Sequence, residues 1–255
     1  MSDFIYYEFP LNERIRVLMR LEQLFQQADH FMLGSTVWDS RAVISSLLDI
    51  LAIFGRNDLK SEILKELDRH IATLSRVADN MAIDRGKLTS TLQNLENISK
   101  EIHGLSGKIG GSLMENELFK NISQRSSIPG GTCVFDLPAY HYWLDQPDGQ
   151  RKQDLELWLQ PFGTIRYAID TILHLIRLST IPTEEKADAG FYQQNLDKAL
   201  PFQLIRVAAS RSLPYYVEIS GGKHRFTVRF MGFSTAGRAM QAEEDIPFQL
   251  TCCVL

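Results

Sequence analysis

One segment of the sequence, SGGKHRFTVRFM at residues 220–231, combines basic and apolar residues in alternation. Successive side chains of a β-strand point to opposite faces, so Phe226, Val228 and Phe230 would face a core. Lys223, Arg225 and Arg229 would then share the opposite face and span roughly 20 Å, at about 3.3 Å per residue. That spacing suits an extended acidic peptide or a phosphate backbone. The alternative is an ordinary solvated face whose charges pair with carboxylates of a neighbouring strand.

Nucleic-acid binding is the second functional hypothesis for the basic strand at residues 223–229. Single-stranded nucleic acids are bound by basic residues together with aromatic side chains on which bases stack. The nearby aromatics are Phe226 and Phe230, which alternation turns away from the basic face. The pattern therefore favours an acidic peptide over a nucleic acid.

A third hypothesis, a thiol hydrolase, would use Cys133 with Asp136 and His141. The partners of a nucleophilic cysteine are normally distant in sequence, and no thiol-enzyme signature surrounds Cys133. A buried structural cysteine is the favoured interpretation, because free cysteine is among the most buried residue types. The stretch GLSGKIGGS lacks the spacing of a phosphate-binding loop. We therefore expect no catalytic residue.

The composition limits the remaining classes of function. The three cysteines, two of them adjacent in TCCVL, lack the spacing of a zinc site, so we expect reduced thiols, no metal and no cofactor. A net charge of −4 gives no global attraction for nucleic acid or anionic lipid. No secretion signal or membrane-spanning run is apparent, which predicts a cytoplasmic protein that does not bind the membrane.

The elements that position these residues fall into two kinds. Apolar residues recur at steps of three and four through the first 125 residues, which predicts helices with Asn12 and Asp39 as N-caps of the first two. Helical spacing returns between residues 150 and 179. After Pro182 the period becomes two, and FQLIRVAAS, YYVEIS, RFTVRFM and PFQLTCC are predicted to be strands of one antiparallel sheet, with a tight turn at SGGK.

The segment SIPGGTCVFDLP predicts a further strand at residues 132–136, bounded by turn-forming residues. If this strand joins the C-terminal sheet, the helical domain is discontinuous. The fold class is therefore predicted as α+β, with a mainly helical domain at residues 1–125 and 150–180. A smaller antiparallel β domain is predicted at residues 126–149 and 181–255.

Several phrases occur in an order that resembles one known family. They are YEFPLNERIRVLMRLE, EILKELDR, QRSSIPGGTCVFDLPAYHYWL, GFYQQN, EISGGKHRFTVRFM and the terminal cysteine pair. Together they span nearly the whole chain and are similar to the ZapD family of bacterial cell-division proteins. The resemblance implies a cytoplasmic, non-enzymatic protein at midcell that binds the C-terminal tail of FtsZ, the tubulin-like division GTPase, and bundles its filaments. It also implies a homodimer formed by the helical domain.

The resemblance further implies a positively charged pocket at a domain junction. Arg56, Arg20, Arg125 and His141 lie in phrases that match the family and are therefore further candidates for binding the tail, beside Lys223, Arg225 and Arg229. For Arg56 the alternative is a role at a helix C-terminus, where its charge favours the helix dipole. For Arg20 and Arg125 structural roles are slightly favoured, and the alternative for His141 is a capping or packing role.

Overall fold

The computed structural model describes residues 3–56, 58–77, 84–234 and 237–255. The α-helices are α1 Glu13–Met32, α2 Val37–Arg56, α3 Leu59–Val77, α4 Arg85–Gly104, α5 Glu117–Ser126, α6 Pro138–Leu144, α7 Asp148–Leu159 and α8 Gly163–Leu178. The strands are β1 Phe4–Pro10, β2 Thr183–Ala187, β3 Phe191–Asn195, β4 Phe202–Ser210, β5 Tyr215–Gly221, β6 Arg225–Gly232 and β7 Ile246–Val254. The α+β fold class is confirmed.

The chain divides into two compact units. The sheet unit comprises residues 1–18 and 172–255, and the helical unit comprises residues 19–171. The division falls within α1 and α8, each of which contributes residues to both units. These units differ from the predicted domains, because residues 126–149 belong to the helical unit and the N-terminal strand belongs to the sheet unit.

The helix starts show how local sequence defines the elements. The side chain of Asn12 accepts a hydrogen bond from the backbone N–H of Ile15 at 3.0 Å, which confirms Asn12 as the N-cap of α1. The prediction that Asp39 caps α2 is wrong, because that helix begins two residues earlier. Thr36 and Asp39 instead bond reciprocally: the Asp39 N–H donates to Thr36 Oγ1, and the Thr36 N–H donates to Asp39 Oδ2. This reciprocal arrangement satisfies two of the free N–H groups at the helix start.

One group of packed aromatic rings lies in the helical unit. Trp158 lies between Phe119 and Trp143, with ring centroids at 5.2 and 5.4 Å, and Tyr140 stacks on Trp143 at 6.0 Å. All four side chains are buried. Large aromatic groups in such contacts contribute much of the burial that stabilises a core.

The strand predicted at residues 132–136 is wrong, because this segment forms a series of turns. The Gly131 N–H donates to the Ile128 carbonyl at 2.8 Å, and the Cys133 N–H donates to the Gly130 carbonyl at 3.1 Å. Gly130 has a φ of +71°, a conformation that β-forming residues rarely adopt. These short-range hydrogen bonds use the groups that a strand would need for pairing, so β propensity does not decide the structure here.

The sheet unit holds two antiparallel sheets, not the single sheet that we predicted. One sheet has the strand order β1-β4-β7-β2 and the other has the order β3-β6-β5. One core of buried side chains draws on both sheets, including Ile205 and Val207 of β4, Phe226 and Phe230 of β6, and Phe248 of β7. The predicted strands β4 to β7 are confirmed, as is the turn between β5 and β6.

Three strands of the sheet unit lie outside the sequence prediction. Strand β1 pairs with β4, although the first 125 residues were predicted to be helical, and β2 pairs with β7. Strand β3 pairs with β6. Ala189 and Gly190, with φ of 46° and 70°, form the turn by which the chain leaves the first sheet after β2 and enters the second at β3.

Candidate functional site: a cationic sheet face

Strand β6 has one apolar face and one charged face, as its alternation predicts. Phe226, Val228 and Phe230 are fully buried in the core of the sheet unit. Arg225 and Arg229 are exposed on the other side, and Lys223 is exposed in the preceding turn. We call Lys223, Arg225 and Arg229 the cationic face.

The two neighbouring strands surround this face mainly with uncharged polar groups. On β3, Asn195 lies opposite Arg225 and Gln193 lies opposite Thr227. On β5, Ser220 lies opposite Thr227, and their hydroxyl oxygens are 2.8 Å apart. Strand β6 is therefore the middle strand of a polar surface with hydrogen-bonding groups on both sides.

The charges of the cationic face are not neutralised by neighbouring carboxylates. Among the described residues, no carboxylate oxygen forms an ion pair with Lys223, Arg225 or Arg229. Other cations in the protein do have such partners: Arg177 Nη2 lies 2.8 Å from Glu8 Oε2, for example. The alternative of a solvated face paired with carboxylates therefore does not describe this strand.

The one acidic residue directly across from the cationic face is Glu218, the β5 partner of Arg229. Its Oε1 accepts a hydrogen bond from the Tyr216 hydroxyl at 3.3 Å. Partial desolvation and the Glu218 carboxylate raise the pKa of Tyr216, so this hydroxyl stays protonated and able to donate. Arg229 instead lies over the ring of Phe191, with its guanidinium carbon 6.0 Å from the ring centroid.

A shallow depression of about 420 Å³ lies at the turn end of the cationic face. Lys223 and Arg225 line it together with Gln193, Thr227 and the main chain of the β5–β6 turn. His224, which the sequence prediction omitted, also lines it and is exposed. The arrangement brings amide, hydroxyl and cationic groups together, which is the chemistry that binds carboxylates.

The candidates of the helical unit are distributed over four helices: α1, α2, α5 and α6. Arg20 is exposed on α1, and His141 is exposed on α6. Arg125 lies in the last turn of α5, with Nη1 3.9 Å from Asp136 Oδ1. Arg56 ends α2, and its side chain lies outside the described residues. A single pocket combining these residues with the cationic face stays a prediction.

The interpretation of Cys133 as a buried cysteine is wrong, because the residue is exposed in the turn segment that replaces the predicted strand. All three cysteines are free thiols, as expected. Burial raises the pKa of Cys252 to about 11 and that of Cys253 to about 12, so both stay protonated at neutral pH.

Over the residues that the structure describes, no group of three or more metal-binding side chains is close enough to hold an ion. Within the same residues, no helix combines the length and the apolar character needed to cross a membrane.

The fold and this face define an α+β protein with an exposed cationic sheet face, and comparison with known proteins places it in a family. The family model described as ZapD, cell division protein, matches residues 19–229. A cell division protein ZapD of Methylococcus capsulatus is 51% identical over the full length of both chains. The one of Aromatoleum aromaticum is 41% identical over 98% of each chain, and that of an Azoarcus species is 38% identical over 98% of this chain and 100% of its own. This chain belongs to the ZapD family.

Proposed function

We propose that the protein acts in bacterial cell division by binding the C-terminal tail of FtsZ through the cationic face. As a homodimer it would crosslink and bundle FtsZ filaments in the cytoplasm at midcell, which stabilises the Z-ring. Its role is binding without catalytic turnover. The proposal rests on family membership and on one observation: among the described residues, the cationic face forms no ion pair with a carboxylate, on a chain of net charge −4.

The chemistry of the face suits a flexible acidic segment. The FtsZ tail is taken to be a flexible segment with acidic and apolar residues. Lys223, Arg225 and Arg229 would attract this segment and then pair with its carboxylates. Because Arg225 and Arg229 are exposed, each ion pair would contribute only about 0.2 to 1 kcal/mol. Single sites of this kind bind weakly.

Bundling does not require strong single sites. A twofold homodimer carries two identical sites, and a filament presents many tails, so that binding of the second tail becomes an intramolecular event. The homodimer therefore converts weak tail binding into stable crosslinking.

The nucleic-acid hypothesis is weakened by the burial of Phe226 and Phe230. Their rings contribute to the core and are not available for stacking with bases. A duplex-shift assay at physiological salt tests this hypothesis directly, and tight binding there would contradict our proposal.

The main experiment is co-pelleting of purified FtsZ filaments with the full-length protein. We expect bundling with full-length FtsZ, none with tail-deleted FtsZ, and a strong loss with the double variant Arg225→Ala, Arg229→Ala. We expect this double variant to bind a single tail peptide about two- to thirtyfold more weakly than the wild type, because two exposed ion pairs are lost.

A matched control is the double variant Arg211→Ala, Arg238→Ala. It removes the same charge from exposed positions of the sheet unit outside β6. Equal loss in both double variants would mean that net charge, not the cationic face, governs bundling. Full bundling by the β6 variant would show that the binding surface lies elsewhere.

A further inference from the structure

A second depression, of about 250 Å³, adjoins the cationic face across the β5–β6 turn. Lys223 and His224 line both depressions. The other lining residues come from the start of α1 and from the chain leading into β4: Leu11, Asn12, Lys198, Leu200, Pro201 and Phe202. All of them belong to the sheet unit.

Four of the residues that line the second depression are apolar. Leu11, Leu200, Pro201 and Phe202 supply hydrocarbon surface, and the apolar residue Leu200 is 49% exposed. Ligand sites commonly combine an apolar lining with a few placed polar groups, here Asn12, Lys198 and His224. We call this site the apolar depression.

Backbone hydrogen bonds hold the walls of the apolar depression in place. The Leu11 N–H donates to the Gln203 carbonyl at 2.9 Å, and the Leu196 N–H donates to the His224 carbonyl at 2.8 Å. The Leu200 N–H donates to the Asp197 carbonyl at 3.2 Å. A site whose walls are already ordered binds a ligand with a smaller entropic cost.

The rim of the apolar depression is cationic. Within the described part of the chain, Lys198 and Lys223 form no ion pair with a carboxylate. The nearest acidic residue in sequence, Asp197, accepts a hydrogen bond from the Ala199 N–H at 2.9 Å through its Oδ1. An apolar side chain flanked by carboxylates would therefore match both the apolar and the basic residues of the lining.

We propose that the apolar depression binds one apolar side chain of an extended acidic peptide whose carboxylates pair with Lys223 and Arg225. This inference rests on the proposed function, because the peptide is taken to be the FtsZ tail. The complementary charges of the lysines and of an acidic peptide favour this peptide over other occupants. The apolar contact would fix the register of the peptide. Exposed ion pairs alone are too weak to fix it well.

The test measures binding of a fluorescent FtsZ tail peptide to the full-length protein by anisotropy at several salt concentrations. We expect Leu200→Ser to weaken binding roughly five- to tenfold through lost apolar contact. Its salt dependence should match that of wild type, because no charge is lost. Lys223→Ala should instead reduce the salt dependence. Leu200→Met, which keeps the side chain apolar, should restore wild-type affinity.

The matched control is Ile181→Ser, which changes an apolar side chain that is 84% exposed elsewhere in the sheet unit. It should leave the affinity unchanged. A set of tail peptides should then be made in which each apolar residue is replaced by serine in turn. One of these peptides should bind the wild-type protein more weakly than the unmodified tail does. The same peptide and the unmodified tail should bind the Leu200→Ser variant with equal affinity. Such coupling is the specific sign of a direct contact.

The possible failures are distinguishable. If the tail binds wild type and Leu200→Ser alike, while Arg225→Ala weakens binding, the apolar depression is not an anchor site and the proposed function stands. If the tail does not bind wild type at all, the proposed function fails, and this inference fails with it. If Leu200→Ser dissociates the protein into smaller species in sedimentation, the occupant is a second copy of the chain, which also overturns the inference.

Discussion

Glu8 on β1 is the centre of a charge cluster in the sheet unit, and its removal is a sharp test of the packing there. Arg177 of α8 donates to Glu8 from Nε at 2.9 Å and from Nη2 at 2.8 Å. Arg206, directly opposite Glu8 on β4, places Nε 3.2 Å from Glu8 Oε1 as an ion pair. Its guanidinium also lies over the ring of Tyr6 at 4.1 Å.

The burial of these groups sets the expected cost of Glu8→Ala. The side chain of Glu8 is 15% exposed, and those of Arg177 and Arg206 are 21% and 28% exposed. Breaking a fully buried pair costs about 3 to 5 kcal/mol, and breaking a surface pair about 0 to 1 kcal/mol. For this intermediate burial we expect the sheet unit to lose roughly 2 to 3 kcal/mol.

The assay must report on the sheet unit alone. All three tryptophans, Trp38, Trp143 and Trp158, belong to the helical unit, so their fluorescence follows that unit during urea unfolding. Hydrogen exchange of the peptides that cover β1 and β4 follows the sheet unit. We expect Glu8→Ala to accelerate exchange in these two strands.

A double-mutant cycle with Arg177→Ala isolates the pair. Because the two side chains are joined by several hydrogen bonds, their coupling should be about 1 to 3 kcal/mol. A coupling below about 0.5 kcal/mol would refute the reasoning, since that value is typical of side chains without a structural interaction.

Further predictions concern a buried histidine, the thiols and a turn glycine. Burial lowers the pKa of His70 from its usual 6.5, so near and below that pH the unfolded state binds more protons than the folded state. The stability of the protein should therefore fall as the pH drops through 6.5, which urea unfolding would measure. The urea midpoint of the His70→Gln variant should not show this fall. Iodoacetamide should modify Cys133 rapidly in the folded protein, and Cys252 and Cys253 only after unfolding, as mass spectrometry would show. Gly190→Ala should cost about 1 to 3 kcal/mol in urea unfolding, because φ is +70° and a Cβ atom would lie 2.8 Å from a carbonyl oxygen.

The elements that could be predicted from the sequence have strong periodic patterns. Strand β6 alternates between charged residues and large apolar ones, so its exposed and buried faces could be assigned before the structure was known. The same holds for the first half of β7, where Ile246, Phe248 and Leu250 are buried at every second position. In such segments local pattern and tertiary packing favour the same structure.

The elements that could not be predicted depend on a pairing partner. Strand β2 has the sequence TEEKA, which has no apolar alternation, and it is a strand because it pairs with β7. Conversely, Val134 and Phe135 are β-forming residues without a partner strand, and they are exposed in turns. Propensity scales describe how a residue fits a sheet but do not supply the neighbouring strand.

The candidate site shows the same limit. Its charges could be predicted, but the absence of ion pairs to carboxylates of the described residues could not, because that depends on which strands lie on either side of β6. Lys198 and Leu200 escaped prediction for a related reason: they reach the β5–β6 turn only through the loop between β3 and β4. No spacing rule connects them with Lys223.

Several basic residues outside the cationic face are paired with carboxylates. In a chain of net charge −4, carboxylates are in excess, and cations such as Arg166, Arg177 and Lys186 have carboxylate partners. The cationic face is different because its neighbours on β3 and β5 are mostly amides and hydroxyls. We therefore keep the cationic face as the candidate binding surface. This protein and the acidic FtsZ tail would both be negatively charged overall. Added salt should therefore weaken the attraction between the tail and the cationic face, and it should also screen the repulsion between the two net charges. Tail binding by this protein should therefore depend less steeply on salt than binding to a uniformly basic protein, and the double variant Arg225→Ala, Arg229→Ala should show a smaller loss of affinity with added salt than the wild type.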